Sequence, residues 1–181
     1  MVRLSILLLF LFSFPFCHSL FAQNKADIPV DPDSQQIVYR EVIEQEGPKD
    51  ILYDRGAEWI RNYYVNPTSV TKVLDKVNGK IEGTGRFKIY YFLKDETRVD
   101  GGMVLYDIKL ELKENKYRIT LNNFQLKSAS RFPLEKWLNK ADPAYNPKWD
   151  EYLYQVDTTM KSLIKNLKEG MKPKVIKKDE W

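Results

Sequence analysis

Between Lys80 and Leu126 the apolar residues recur at every second position in three successive runs, and this pattern constrains the chain more than any other feature. Ile81, Phe87, Ile89 and Tyr91 alternate with Glu82, Thr84, Arg86 and Lys88. Val104, Tyr106, Ile108, Leu110 and Leu112 then alternate with Asp107, Lys109 and Glu111. After a tight Glu114-Asn115 turn, Tyr117, Ile119 and Leu121 alternate with Arg118, Thr120 and Asn122. A period of two is the signature of strands with one wet face. The runs therefore predict an antiparallel meander whose apolar face must be covered by something else.

Two helical patterns supply the cover. Gly47-Pro48 opens the first, in which Leu52, Gly56, Trp59, Ile60 and Tyr63 fall on one face before Asn66-Pro67 stops it. Trp149, Tyr152, Leu153, Val156, Met160, Leu163, Ile164 and Leu167 mark the second, ending at Gly170. Its length of about 22 residues, roughly 33 Å, matches a strand of about ten residues. A β-branched run at Ile37 to Ile43 predicts a first strand, and Ser69 to Val77 a short one. Ser128 to Lys148, with Pro133, Pro143 and Pro147, is an irregular excursion carrying Phe132, Trp137, Leu138 and Tyr145. The expected fold is α+β: a curved antiparallel sheet with two helices packed on one face, in the order β-α-β-β-β-β-α. Trp59, Ile60, Val156, Met160 and Leu163 should meet Ile89, Ile108, Leu110 and Ile119. With 181 residues, 43% of them hydrophobic, the chain suffices for one domain. We place it at residues 23–171, followed by a solvated basic tail at 172–181.

Residues 1–22 read as a cleavable secretory signal, because Arg3 precedes the apolar run Leu4 to Phe16 and Ala22 offers a small residue for cleavage. That run is too short to span a bilayer, so no stable membrane insertion is expected after cleavage. Bulky Phe14-Pro15-Phe16 before Cys17 argues against lipid attachment there. The expected location is secreted or periplasmic.

Cleavage after Ala22 removes Cys17 and His18, the chain's single cysteine and single histidine. Disulfides, thiolate nucleophiles, imidazole bases and metal sites built on His or Cys go with them, as do serine triads. No cofactor or metal is called for. Asp31 and Asp33 lack the glycine and glutamate of a calcium loop. What remains for catalysis is carboxylate chemistry, with Asp95, Glu96 and Asp100, or Asp107 and Glu111, as the groups to watch. No catalytic residue is assigned. The formal net charge of +4 is interspersed in sign, and the outward strand residues nearly balance, so nucleic acid is not an expected partner.

Pairing Tyr91 with Val104, and Leu112 with Tyr117, sets Lys88 against Asp107, Glu82 against Lys113 and Glu111 against Arg118. The same register leaves Tyr90, Phe92, Met103, Leu105, Phe124 and Leu126 on the outward face, beside a polar loop at Lys94 to Gly102. Six exposed apolar residues would form a binding patch. Two alternatives stand beside it: the 128–148 excursion folds over them, or a bulge at Asn122-Asn123 turns Phe124 and Leu126 into the core.

Four stretches carry a resemblance: Ile28-Pro29-Val30-Asp31; Leu52-Tyr53-Asp54-Arg55 to Trp59; Gly83-Thr84-Gly85-Arg86-Phe87; and Lys116-Tyr117-Arg118-Ile119-Thr120 to Phe124. Over roughly residues 28 to 126 the chain resembles a family of secreted bacterial domains of unknown function with a TATA-box-binding-protein-like fold. The resemblance implies the sheet and two helices described above, and brings no activity, cofactor or catalytic residue. The expected role is a binding or interaction module for an unidentified protein or envelope component, with a carboxylate-dependent hydrolase as the alternative.

Overall fold

The computed structural model describes residues 26–128 and 130–174; the expected signal, with Cys17 and His18, and the end of the basic tail lie outside them. In chain order the elements are β1 (Tyr39–Glu44), α1 (Lys49–Tyr63), α2 (Pro67–Val70), β2 (Thr71–Asp75), β3 (Lys80–Phe92), β4 (Arg98–Lys113), β5 (Lys116–Leu126), β6 (Phe132–Pro133) and α3 (Lys148–Gly170), with a 3₁₀ turn at Leu134–Leu138. All strand pairs are antiparallel, in the order β1-β5-β4-β3-β2, with β6 joined to β5 beyond β1. The α+β arrangement expected from the sequence is present, with α2 and β6 added.

Period-two burial puts Ile81, Ile89, Ile108, Leu110 and Ile119 in the core, where they join Trp59 and Ile60 of α1 and Val156, Met160 and Leu163 of α3 in one cluster. The helices are tied together where the Trp59 indole Nε1 donates to Asn166 Oδ1 at 2.8 Å. The start of α1 has no cap from its own side chains. Instead the Lys49 N–H donates to Glu114 Oε2 at 3.1 Å, satisfying one of the donors that a helix start leaves free. The same β4–β5 turn takes the Gly47 N–H onto Asn115 Oδ1 at 3.0 Å. Asn115 sits at φ +58°, a left-handed conformation that asparagine tolerates.

The register of β4 with β5 is as expected, with Leu112 opposite Tyr117 and Glu111 opposite Arg118. That of β3 with β4 differs by four residues: Phe87, not Tyr91, lies opposite Val104. The hairpin tip is shorter than the sequence suggested, closed by the Leu93 N–H on the Thr97 carbonyl. Gly101 and Gly102 belong to β4, where Gly102 lies opposite Ile89 and Asp100 opposite Tyr90, so that Gly101 is the extra residue of a bulge. A Cβ on Gly101 would lie 2.8 Å from the Tyr152 ring, and Gly102 has φ +115°, so glycine at both positions lets α3 settle on the strand. Because four is even, the inward face is unchanged while the charge partners are exchanged. Lys88 pairs with Asp100 rather than Asp107, and Glu82 with Lys109 rather than Lys113.

Ile108 is buried at the centre of the inward face, so Ile108→Ala should cost about 2–5 kcal/mol in denaturant melts. The Tyr117 hydroxyl is buried with no hydrogen-bond partner among the described residues. Burial, with a contribution from Glu41, pushes its pKa up to about 12. Tyr117→Phe should therefore change stability by less than about 0.5 kcal/mol, or raise it. A large loss on removing that hydroxyl would show that it has a partner.

Candidate functional site

The six apolar residues expected on the outward face do not form one surface. Leu105 lies opposite Gln125 and Asp107 opposite Asn122, so Asn123 and Phe124 together span the interval that Tyr106 fills alone on β4. This is a bulge, and Asn123 takes φ +54° to make it. Beyond it the alternation inverts. Phe124 is fully buried, edge-on to Tyr39 at 5.8 Å and stacked with Tyr106 at 6.0 Å. Leu126 lies opposite Val104 on the inward face. Of the three alternatives for these two residues, the bulge is the one the structure contains. The excursion lies on the helix side: Phe132 pairs with Leu126, and Leu134 and Trp137 enter the core. Met103 and Leu105 remain outward and half-buried. Tyr90 carries the Arg98 guanidinium 4.3 Å above its ring, and Phe92 is 56% exposed at the end of β3.

The rest of the outward face is closed by its own polar contacts. Arg118 Nε donates to Glu111 Oε2 at 2.7 Å, and Lys109 lies 3.5 Å from Glu111 and 3.8 Å from Glu82. Asp107 accepts from Thr84 Oγ1 at 2.6 Å and Asn123 Nδ2 at 2.7 Å. The carboxylates near the hairpin are likewise occupied. Asp95 accepts the Thr97 N–H, and Asp100 accepts the Gly102 N–H and Lys88 Nζ. These bonds hold Asp95 and Asp100 below the usual carboxylate range. Glu111 is also lowered, since Arg118 and Lys109 outweigh the opposing effect of its partial burial.

A groove of ≈ 1160 Å³ lies elsewhere, between the head of α3, the excursion and the arm Ala26–Ile28. Trp137 and Leu153, both buried, belong to its floor, and Phe92, Tyr145 and Tyr154 reach its sides. Behind the floor Trp137 packs on Tyr152 at 5.4 Å and Trp149 at 6.4 Å. On the rim Asp150 accepts from Lys140 Nζ at 2.7 Å and the Tyr145 hydroxyl at 3.0 Å. Desolvation and that bond to Asp150 raise the Tyr145 phenol.

Two polar residues of α3 position the groove. Gln155 clasps Tyr90 by its backbone, accepting the N–H at 2.9 Å and donating to the carbonyl at 2.6 Å. Asp157, buried on the core side of α3, accepts from Tyr39 Oη at 3.1 Å, Lys161 Nζ at 2.8 Å and the Asp27 N–H at 3.4 Å. The last bond fastens the arm across the helix. Burial, reinforced by Asp157, drives the Tyr39 phenol far above its ordinary range. Sequence reasoning found Phe92 but not the groove. The available signal was Asp157 itself, an acid set between Val156 and Met160 on an otherwise apolar stripe.

Residues 39–127 match the model of the family described as a domain of unknown function (DUF4468) with TBP-like fold. A crystal structure of a DUF4468 family protein from Bacteroides ovatus is similar, with a TM-score of 0.63 and 16% identity over 83% of this chain and 93% of the other. So is a TBP-like protein from Parabacteroides distasonis, with a TM-score of 0.61 and 13% identity over 80% and 96%. At such identities the likeness is one of fold. No curated protein matches the chain.

Two outcomes follow from this geometry. Phe124→Ala should lose about 3–5 kcal/mol in urea melts because that ring fills the core beyond the bulge. Deleting Asn123 removes only the extra residue, leaves Phe124 and Leu126 on the inward face and should cost clearly less, with the variant monomeric on gel filtration; a deletion variant that self-associates would mean Asn123 is not the extra residue. Asp31, Glu58, Asp75, Asp95, Asp100 and Glu111 all have lowered pKa values. A carboxylate depressed in the folded state stabilises it above the unfolded pKa and loses that contribution as pH falls through the folded value. Stability should thus be level from about pH 7 to pH 5 and decline below about pH 4. Denaturant midpoints across that range check it, and a rise in stability on acidification would contradict the assignment.

Proposed function

We propose that the protein is a secreted or periplasmic, non-enzymatic binding module that seats its ligand in the groove at the head of α3. The observation that carries this reading is the groove itself: an apolar floor, aromatic sides and a few rim carboxylates, the composition of a ligand-binding site. Export rests on Arg3, the apolar run Leu4 to Phe16 and Ala22. The ligand is then a protein or envelope component.

The hydrolase alternative has less support. A general acid needs a pKa raised toward neutrality, whereas Asp95, Asp100 and Glu111 move the other way. Nucleic acid is disfavoured because Lys88, Lys109 and Arg118 already have carboxylate partners on the outward face.

A fragment screen by NMR tests the reading. Amide shifts should gather on Leu138, Tyr145, Leu153 and Tyr154 and weaken in Tyr154→Ala. Shifts confined to Met103, Leu105 and their neighbours on the outward face, or no binding at all, would overturn it.

A further inference from the structure

We propose that the groove receives an extended peptide bearing basic and apolar side chains, which adds to the uncovered edge of β3 by taking over the Tyr90 backbone from Gln155. The proposal rests on the groove being the binding site. Charge gives the first argument. The rim holds Asp27, Asp150 and Glu151 against Lys140, and that lysine is spent on Asp150. A locally acidic groove on a chain of formal net charge +4 complements a segment with Lys or Arg beside an apolar anchor. Size agrees, since ≈ 1160 Å³ exceeds the usual small-molecule range of about 300–1,000 Å³.

The β3 edge gives the second argument and specifies a peptide. β2 pairs with β3 only as far as Gly83, so among the described residues the remainder of β3 has no strand on that side. At Tyr90 the Gln155 amide accepts the N–H and donates to the carbonyl, the same pair of bonds that an antiparallel neighbour makes. Gln155 and Phe92 both line the groove, so the capped edge and the groove are continuous. An added strand would supply both bonds and place alternate side chains in the groove. Arg86 and Lys88 lie further back along β3 and set the polarity: in an antiparallel strand the basic residues belong at the N-terminal end, over the groove. They also disfavour a second copy as the occupant, because self-pairing would bring like charges together.

The probe is a blocked synthetic octapeptide, Lys-Leu-Lys-Leu-Ser-Val-Ser-Val, compared with its counterpart having Glu for Lys and with a version N-methylated at alternate residues. By NMR titration the Lys peptide should shift Tyr90, Phe92 and Gln155, and the Glu peptide should not. Asp27→Asn combined with Glu151→Gln should weaken binding at least about fivefold. N-methylation should weaken it similarly, and the Gln155 side-chain amide signals should move toward solvent-exposed values as the peptide takes over the Tyr90 backbone. Equal binding of Lys and Glu peptides, indifference to N-methylation, or no peptide binding would each overturn the inference. If fragments still bind the groove in that last case, the groove stands as a site and the peptide assignment alone falls.

Discussion

Asn123 adds one residue to β5 opposite Tyr106, and the side-chain alternation beyond it inverts, so Phe124 and Leu126 face the helices instead of solvent. Much of that end of the molecule depends on this inversion. Phe124 fills the space between Tyr39 and Tyr106. Leu126 meets Phe132, which leads into the turn bearing Leu134 and Trp137. Without the bulge the excursion would have no apolar strand end to pair with, and the floor under the first half of α3 would be missing. The Gly101-Gly102 bulge on β4 is the complementary device, clearing space for the Tyr152 ring where the Phe124 end of the sheet meets α3.

Helix α3 joins the sheet core to the groove. Its stripe from Tyr152 to Leu167 is apolar enough to cover the sheet, yet Gln155 and Asp157 interrupt the pattern. Each is matched by a specific partner from a distant part of the chain, so the cost of placing a polar group at a packed surface is offset. Gln155 closes a strand edge, and Asp157 collects a phenol, an ammonium and a backbone N–H. Together they fix where the arm and the end of β3 lie relative to the helix, and these two segments are walls of the groove.

The sheet and both main helices were legible because their signals are periodic: three period-two runs and two amphipathic stripes determine what must be buried. Face assignment survived even the four-residue error in the β3–β4 register, since an even shift preserves the side of every residue. The partners of Lys88 and Glu82 did not survive it, because the length of the hairpin tip depends on Gly101-Gly102 serving as strand rather than turn. The patch was misplaced for a related reason. A bulge is a single-residue event, and from sequence Asn122-Asn123 marks only where one is permitted. The groove was illegible because it is assembled from an arm, an aperiodic loop and one helix turn, none of which carries a repeating pattern.

That assembly also separates the groove energetically from the framework beneath it. Its walls are held by a few long-range contacts: Asp27 on Asp157, the Ile37 N–H on Glu135, Lys140 on Asp150 and Gln155 on Tyr90. The bonds to backbone N–H groups each contribute on the order of 1 kcal/mol and the exposed Lys140–Asp150 pair contributes little, whereas the pairing of β3, β4 and β5 is continuous over most of their length and packed on one face. Rearranging the arm or releasing Gln155 breaks one or two of those contacts and leaves the strand ladder and the Ile108 core untouched. Regions of low local stability on a rigid scaffold are where binding surfaces can adjust without unfolding the domain. The outward sheet face has no such freedom: its Glu111, Arg118 and Lys109 contacts cross strands, so moving one of them disturbs its neighbours on the adjoining strands.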